Sequence, residues 1–341
     1  MYQKSFSLHF VILSIFLIML FLLNISLGSV SIPVEEVLKS FFIKIDNEAW
    51  YYIIQNYRLP KAITAILVGS GLSISGLLMQ TLFRNPLAGP FVLGITSGAS
   101  LGVALVIMGS SIFGGVFATI FSSSWSMVIA SSLGSFLVLL TVLLASFKIR
   151  DTMALLIIGL MFGSITSAIV SVLSYFSSAD QIQQFVFWGF GSLGNLTWGE
   201  VAVLASFCSV GFIITIAKIK GLNTLLLGEN YAKSLGLNIK TNRILIIVAT
   251  SLLAGTITAF AGPIAFIGLA VPHITRQIFN TSNHKTLIPA VFLIGSIIML
   301  ICDSIAQIPN SDYTLPINAI TSLIGAPVVI WLLLRKRKMI F

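Results

Sequence analysis

The sequence predicts an all-α, polytopic membrane protein with about ten transmembrane helices. Three observations support this fold class: 57% of the 341 residues are hydrophobic, only 9% are charged, and the apolar residues form long unbroken runs. Soluble domains carry about 25% charged residues, whereas each membrane-spanning helix needs about 20 apolar residues. A β-barrel would instead show short segments that alternate apolar and polar positions. We therefore expect a single transmembrane domain over residues 1–341.

The basic residues follow the sidedness expected of a membrane protein. The formal net charge is +9, and most Lys and Arg residues fall in segments that we assign to the cytoplasmic side, notably 218–243 and 335–338. An excess of Lys and Arg is typical of cytoplasmic loops. We therefore attribute this charge to orientation beside membrane lipid and expect no nucleic-acid partner. The predicted location is the cytoplasmic (inner) membrane, as a multi-pass protein with both termini in the cytoplasm.

The N-terminal half begins with an apolar run, residues 8–28, that predicts an uncleaved first membrane helix. Residues 33–42 follow as an amphipathic helix at the outer membrane interface. The next predicted span, 58–82, is rich in Gly and Ser, and such small residues allow helices to approach closely in a bilayer. Further spans are expected at 91–109, 126–147 and 153–175.

The C-terminal half continues this pattern of apolar runs. An outer loop, 176–198, is expected to place Trp188 and Trp198 at the membrane interface. Two similar stretches, 87–94 and 260–268, predict an inverted repeat of the kind found in transporters, with chance similarity as the alternative. Spans are expected at 199–217, at 243–261, in a short helix before Pro272, at 287–305 and at 316–334.

A polar segment, residues 218–243, lies between two of these apolar spans and must therefore lie in water. Within it, the residues Leu226, Leu227, Tyr231 and Leu235 fall at helical spacing, and Gly236 is a typical helix stop. The pattern predicts a short amphipathic helix. Two interpretations remain open for it: a surface that binds a soluble partner, or a solvated loop helix without a partner.

No motif for enzyme catalysis or nucleotide hydrolysis occurs in the sequence. A phosphate-binding loop and a His-Glu-x-x-His motif are both missing. Cys208 and Cys302 lie in apolar spans without a neighbouring His or Asp pattern, so no catalytic residue, metal site or cofactor is predicted. His9 and His284 are expected at an interface or in water. The chain is therefore predicted not to be an enzyme.

Buried ionisable residues indicate function in a membrane protein, and this sequence has few of them. Asp303, near the outer end of the span 287–305, is the strongest candidate, with a structural bond to a neighbouring helix as its alternative role. An ion-coupled carrier usually places carboxylates near the middle of the membrane. Their scarcity here favours an energy source on another subunit.

Several motifs, in one order along the chain, carry a family resemblance. The chain resembles the permease subunit of the iron–siderophore, haem and vitamin B12 ABC importers (FecCD-type), which have the type II importer fold. The resemblance covers roughly residues 10–335. The motifs are Arg58-Leu-Pro-Lys61, the Gly- and Pro-rich stretch 71–94, Trp188-Gly-Phe-Gly-Ser192, Leu227-Gly-Glu-Asn-Tyr-Ala-Lys-Ser-Leu-Gly236, the stretch 262–276 and the stretch 315–327.

The resemblance implies a function and a set of partners. It implies import of an iron chelate, first of all a ferric siderophore, with haem, cobalamin or molybdate as alternatives. It also implies a cytoplasmic ABC ATPase dimer, an extracytoplasmic substrate-binding protein and a second permease subunit, identical or not. A rival interpretation from another class is an ion-coupled secondary transporter that works without an ATPase.

The resemblance further implies which residues couple the chain to the ATPase. In this family the Leu-Gly-Glu motif forms a helix pair that docks into a groove on the cytoplasmic ATPase. The implied coupling residues are Gly228, Glu229, Ala232, Leu235 and Gly236.

Other family positions are implied on the outer side and at the cytoplasmic gate. Arg58 and Lys61 are implied to contact acidic residues of the substrate-binding protein, although Lys61 lacks the bidentate geometry of the Arg usual there. Gln307 occupies the position of a third basic contact, and Asn318 replaces a usual Gly at the outer mouth. Thr152 matches a cytoplasmic gate, with helix capping as its alternative role.

Overall fold

The computed structural model describes residues 6–43, 45–109, 124–149, 152–194, 196–308 and 313–334. In these ranges the regular structure is helical, apart from one isolated bridge between Gln307 and Thr314. The α-helices are α1 Ser7–Ser26, α2 Val34–Ser40, α3 Glu48–Ile53, α4 Leu59–Phe83, α5 Ile95–Ile107, α6 Ser124–Lys148, α7 Thr152–Tyr175, α8 Ala179–Gly189, α9 Trp198–Ala217, α10 Ile219–Leu225, α11 Glu229–Ser234, α12 Ile239–Ala261, α13 Ile267–Phe279, α14 His284–Ala306 and α15 Ile317–Leu334.

Seven helical stretches of the described chain are long and apolar enough to cross a membrane. They correspond to α1, to the continuous run from α3 through α4, and to α6, α7, α9, α12 and α14. The other three predicted spans have shorter counterparts in α5 and α13, of 13 residues each, and α15, of 18 residues. The all-α, multi-pass fold class is therefore confirmed.

The segment predicted as an outer loop, 176–198, contains the helix α8, so that prediction was wrong over Ala179–Gly189. A capping box starts this helix. Gln181 N donates to Ser178 Oγ at 3.4 Å, and Ser178 N donates to Gln181 Oε1 at 3.0 Å. A Ser followed three residues later by Gln is a recognised helix-start signal.

The short helix expected before Pro272 continues through that residue. Pro272 lies inside α13, Ile267–Phe279, rather than after its end. A proline in a helix interior removes one backbone hydrogen bond and favours a kink. Burial of Pro272 together with its neighbour Val271 supplies the packing that stabilises the helix here.

The chain divides into two compact units. The first contains Met1–Ile74, Ser192–Ser206 and Ala265–Phe341, and the second contains Ser75–Gly191 and Phe207–Ile264. Each unit is assembled from segments that are distant in the sequence. The single domain over residues 1–341 stays a prediction.

Close helix contacts through small residues hold the first unit together. A side-chain Cβ at Gly69 of α4 would lie 2.3 Å from the Gly295 carbonyl oxygen, and one at Gly295 of α14 would lie 2.4 Å from Ser73 Oγ. Ser296 Oγ adds a hydrogen bond to the Ile66 carbonyl at 3.3 Å. Small residues let helix backbones approach in this way, as the Gly- and Ser-rich stretch predicts.

The second unit uses the same principle between α5 and α6. A Cβ at Gly98 would lie 2.3 Å from the Gly134 carbonyl oxygen, and a Cβ at Gly102 would lie 2.0 Å from that of Ala130. Ser135 Oγ donates to the Ile95 carbonyl at 3.1 Å. Contact between two backbones and a buried hydrogen bond together set the spacing of these helices.

The two similar sequence stretches have similar backbones. Each continues from an Ala-Gly-Pro triplet, 88–90 or 261–263, to a left-handed residue and then to a 13-residue helix. The left-handed residue is Gly94, with φ 76°, before α5 and Phe266, with φ 66°, before α13. The shared local geometry supports a repeat over chance similarity, and its inverted orientation stays a prediction.

Asn318 stabilises the turn at Phe266. A left-handed conformation costs a residue other than Gly about 1 kcal/mol, and the Asn318 side chain accepts a hydrogen bond from the neighbouring Ala265 N at 3.0 Å. Gly325 lies against the same turn, because a Cβ there would lie 2.3 Å from Phe266 Cβ. The replacement of the usual Gly by Asn at 318 therefore adds a bond to this turn.

We expect Gly69→Ala to destabilise the protein by about 1–3 kcal/mol, because the new methyl group overlaps the α14 backbone. The measurement is the thermal unfolding midpoint in detergent. Gly199→Ala in α9 is the matched control, since a Cβ there meets nothing within 4 Å. Equal midpoints for Gly69→Ala and wild type would contradict the proposed helix contact.

Candidate functional site

The polar segment 218–243 folds as two short helices, α10 and α11, between α9 and α12. Gly228, with φ 102°, makes the turn between them. Gly236, with φ 82°, ends α11 in a Schellman motif, in which Leu237 N donates to the Ala232 carbonyl at 3.0 Å. The two glycines therefore act through backbone geometry, which a residue with a Cβ adopts only with strain.

The apolar side chains of α11 point in two directions. Ala232 is fully buried, whereas Leu227, Tyr231 and Leu235 are 60%, 58% and 60% exposed. A helix that only covers its own protein would bury its large apolar residues. An exposed cluster of this kind instead marks a surface for another molecule. We call Leu227, Tyr231 and Leu235 the apolar cluster.

An open groove of about 890 Å³ lies beside the apolar cluster, between the end of α4 and α11. Arg84, in a left-handed conformation with φ 48°, turns the chain at the end of α4 and gives the groove a cationic edge. The groove is lined by Leu82, Phe83, Arg84, Leu227, Gly228, Glu229, Asn230, Tyr231 and Ser234. Its size and its mixed lining suit a protein segment.

An ion pair anchors the start of α11. Glu229 Oε1 lies 2.9 Å from Arg243 Nη2. Arg243 Nη1 also donates to the Ile149 carbonyl, between α6 and α7, at 3.4 Å. Of the five predicted coupling residues, the structure thus gives Glu229 an internal partner, buries Ala232, exposes Leu235 and places the two glycines at turns.

A polar cluster joins three helices of the first unit around Asp303. Its Oδ1 lies 3.1 Å from Lys61 Nζ. Its Oδ2 accepts hydrogen bonds from Asn24 Nδ2 at 2.9 Å and from Gln307 Nε2 at 2.6 Å. These bonds connect α1, α4 and α14, so the structure supports the interhelical role that was one of the two interpretations for Asp303.

Arg58 binds backbone carbonyls at the end of α1. Its Nη1 donates to the carbonyls of Ile25 at 2.8 Å and Ser26 at 2.9 Å, and its Nη2 donates to that of Val30. Gly28 lies directly against the guanidinium, since a Cβ there would lie 2.7 Å from Nη2. Arg58 is only 8% exposed and therefore organises the chain after α1.

Both predicted docking cations and Gln307 line one cavity of about 360 Å³. Arg58 and Lys61 make mostly internal polar contacts. The structure therefore places both at the same cavity, with their charged groups engaged inside the protein. Their docking role stays a prediction. The cavity is lined by Gly28, Ser29, Val30, Ile53, Tyr57, Arg58, Lys61, Gly194, Gln307, Ile308, Tyr313 and Thr314.

Two further predictions concern single residues. His284 was expected in water or at an interface, but it is completely buried at the start of α14, where α13 packs against that helix, so this prediction was wrong. Thr152 begins α7, and its side chain lies outside the described residues. Its gating role stays a prediction.

Sequence reasoning missed two pairings, Lys61 with Asp303 and Glu229 with Arg243. A signal was present for the first pairing but not for the second. Lys61 and Asp303 are charged residues within apolar spans, and such residues usually pair with one another. Glu229 and Arg243 are separated by 14 positions, and no helical spacing connects them.

The comparisons with known proteins cover nearly the whole chain. Residues 16–335 match the model of the FecCD transport family. The hemin transport system permease protein HmuU of Yersinia pestis is 33% identical over 96% of this chain and 95% of its own length. The vitamin B12 import system permease protein BtuC of Klebsiella pneumoniae is 37% identical over 82% of both chains.

Solved structures agree with these matches. An inward-facing metal-chelate type ABC transporter superposes with a TM-score of 0.80 at 30% identity, over 95% of this chain and 98% of its own. PsaBC of Streptococcus pneumoniae gives a TM-score of 0.50 at 15% identity, over 86% of this chain and 94% of its own, which is a likeness of fold alone. The family resemblance drawn from the sequence motifs is thereby confirmed.

We expect Lys61→Met to destabilise the protein by on the order of 3 kcal/mol, because it leaves the buried Asp303 carboxylate without its cation. The thermal unfolding midpoint in detergent measures the loss. Lys39→Met is the matched control, since Lys39 pairs with Glu35 and Glu36 at 2.9 Å on an exposed helix. A surface pair contributes little. Similar small shifts for both variants would contradict a structural role for the buried pair.

Proposed function

Because the chain belongs to the FecCD transport family, we propose that it forms the membrane pathway for a metal chelate, with a ferric siderophore as the first candidate. The chain is the permease subunit of a type II ABC importer, a multi-pass membrane protein and not itself an enzyme. An importer of this class works with an ATPase and a substrate-binding protein.

The chelate is the open part of this proposal. The hemin and vitamin B12 permeases among the relatives support haem and cobalamin as well as a siderophore. The metal-chelate type transporter supports the broader class. Molybdate is a further alternative. We rank the siderophore first on its frequency in the family.

The exposed apolar cluster beside the groove is the observation that carries the ATPase contact. We propose that the ATPase dimer binds Leu227, Tyr231 and Leu235 from the cytoplasm. In this assignment Gly228 and Gly236 shape the coupling helix, and Ala232 packs it against the rest of the chain. Large apolar residues at the centre of an interface contribute most of its binding energy.

The same assignment orients the chain in the cytoplasmic membrane, with both termini in the cytoplasm. The outer cavity then faces the substrate-binding protein, and Arg58 and Lys61 at its edge are proposed to attract acidic residues of that protein. A second permease, identical or related, completes the pathway. Thr152, at the start of α7, is proposed as part of the cytoplasmic gate, and residues 1–341 act as one domain.

The proposed mechanism depends on the rigidity of the coupling helix α11. ATP binding brings the two ATPase subunits together and displaces the coupling helices that dock on them. A six-residue helix ended by a Schellman motif transmits a displacement better than a flexible loop does. The displacement reaches the membrane helices, which then open the pathway alternately to either side. Such a cycle needs differential contacts in the two states.

An ion-coupled secondary transporter is the rival from another class. It would take up substrate into proteoliposomes under an ion gradient without any ATPase. The proposed importer would show no such uptake. Uptake measured with the permease purified with and without the ATPase therefore distinguishes the importer from the secondary transporter.

We expect Tyr231→Asp to weaken binding of the ATPase at least about tenfold, because it places a charge in the centre of the proposed contact. Binding is measured on the detergent-purified complex. Tyr313→Asp is the matched control, since Tyr313 is also exposed but lies at the outer cavity. Unchanged binding by Tyr231→Asp would refute the docking site.

For the substrate, we expect ATP-dependent uptake of a radiolabelled ferric siderophore into proteoliposomes that contain the permease, its ATPase and its loaded binding protein. Haem and cobalamin are tested in parallel with their own binding proteins. Selective uptake of either would replace the siderophore assignment and leave the importer class intact.

A further inference from the structure

We propose that Arg243 is the positioning residue that connects the coupling helix to the membrane helices, and that Glu229 acts through Arg243 rather than through the ATPase. The proposal rests on the proposed docking of the ATPase at α11 and assigns the internal path by which that contact is transmitted.

The guanidinium of Arg243 bonds two other segments from the first turns of α12. Its Nη2 lies 2.9 Å from Glu229 Oε1, at the start of α11. Its Nη1 donates to the Ile149 carbonyl, in the connection between α6 and α7, at 3.4 Å. One side chain therefore joins the coupling helix to α12 and to the α6–α7 connection.

Burial strengthens this arrangement. The Arg243 side chain is 8% exposed and the Glu229 side chain 37% exposed. A guanidinium held this far from water requires a compensating charge, and the Glu229 carboxylate supplies it. Arg can donate to both groups at once through its planar fork, whereas the ammonium of Lys is a single point of charge.

The orientation of Glu229 separates its role from that of the apolar cluster. Glu229 borders the groove, but its Oε1 is bonded inward to Arg243. Leu227, Tyr231 and Leu235 stand more than half exposed on the same segment. The segment thus presents apolar side chains outward and uses its carboxylate inward.

Asn242, the residue before Arg243, makes a steric contact with α10. Asn242 is 3% exposed, and among the described residues neither its Oδ1 nor its Nδ2 has a hydrogen-bond partner. A Cβ at Gly221 of α10 would lie 2.4 Å from Asn242 Oδ1, so α10 packs directly on α12 at this point. Movement of α10 therefore presses on α12, and Arg243 adds the directional bond that connects α11.

Two parts of the coupling segment therefore have different roles. The apolar cluster determines how tightly the ATPase binds, and the Glu229–Arg243 pair determines how much of its movement reaches the membrane helices. Loss of the pair should leave the complex assembled and hydrolysing ATP, while substrate uptake for each ATP hydrolysed falls.

The test compares Glu229→Gln, Arg243→Lys and the charge-exchanged double variant Glu229→Arg/Arg243→Glu. Each is purified with its ATPase and loaded binding protein, and binding of the ATPase, the ATPase rate and uptake are measured together. We expect both single variants to lower uptake per ATP by about tenfold, a typical size for coupling between sites, with binding unchanged. The double variant should recover part of that loss.

Thermal unfolding of each variant accompanies these measurements, and Lys285→Met, an exposed cation at the start of α14, is the control. Weakened ATPase binding by Glu229→Gln together with wild-type behaviour of Arg243→Lys would overturn the proposal, since Glu229 would then contact the ATPase directly. Unchanged uptake per ATP in both single variants would also overturn it. Tyr231→Asp tests the docking surface separately. Failure of the proposed ATPase docking can therefore be distinguished from failure of the proposed role of the Glu229–Arg243 pair.

Discussion

Charged groups withdrawn from water must find partners inside the protein, and the arrangement of the described helices depends on this constraint. Asp303 shows it most clearly. Its two oxygens together bind Lys61, Asn24 and Gln307, from or beside three different helices. Because the carboxylate cannot remain unpaired, these helices are held at one spacing and one register. Arg58 applies the same rule to backbone carbonyls at the end of α1.

The second unit shows the same constraint in the proposed coupling segment. Arg243 is nearly buried and shares its donors between Glu229 and the Ile149 carbonyl. The outer surface of the same segment is apolar and exposed, so one short stretch combines a surface for a partner with an internal polar bond. This combination supports the proposed coupling role over that of a solvated loop without a partner.

Much of the fold could be predicted from the sequence because the signals are local. Apolar runs of sufficient length predict α1, α6, α7, α9, α12 and α14, and the spacing of Leu227, Tyr231 and Leu235 predicts the exposed short helix. The capping box of α8 is also a local signal, and it marks a helix where a loop was predicted. The burial of His284 had no local signal, because it depends on how α13 packs on α14.

The sequence by itself determined the membrane class, the positions of most membrane spans and the family, since composition, periodicity and motif order reside in contiguous residues. Only the tertiary structure decided what the charged residues do. Lys61 and Asp303 are far apart in the sequence. Glu229 and Arg243 lie in different helices, so no helical spacing connects them. Their pairing follows from the packing of helices, which brings them within reach and removes the water that would otherwise solvate them.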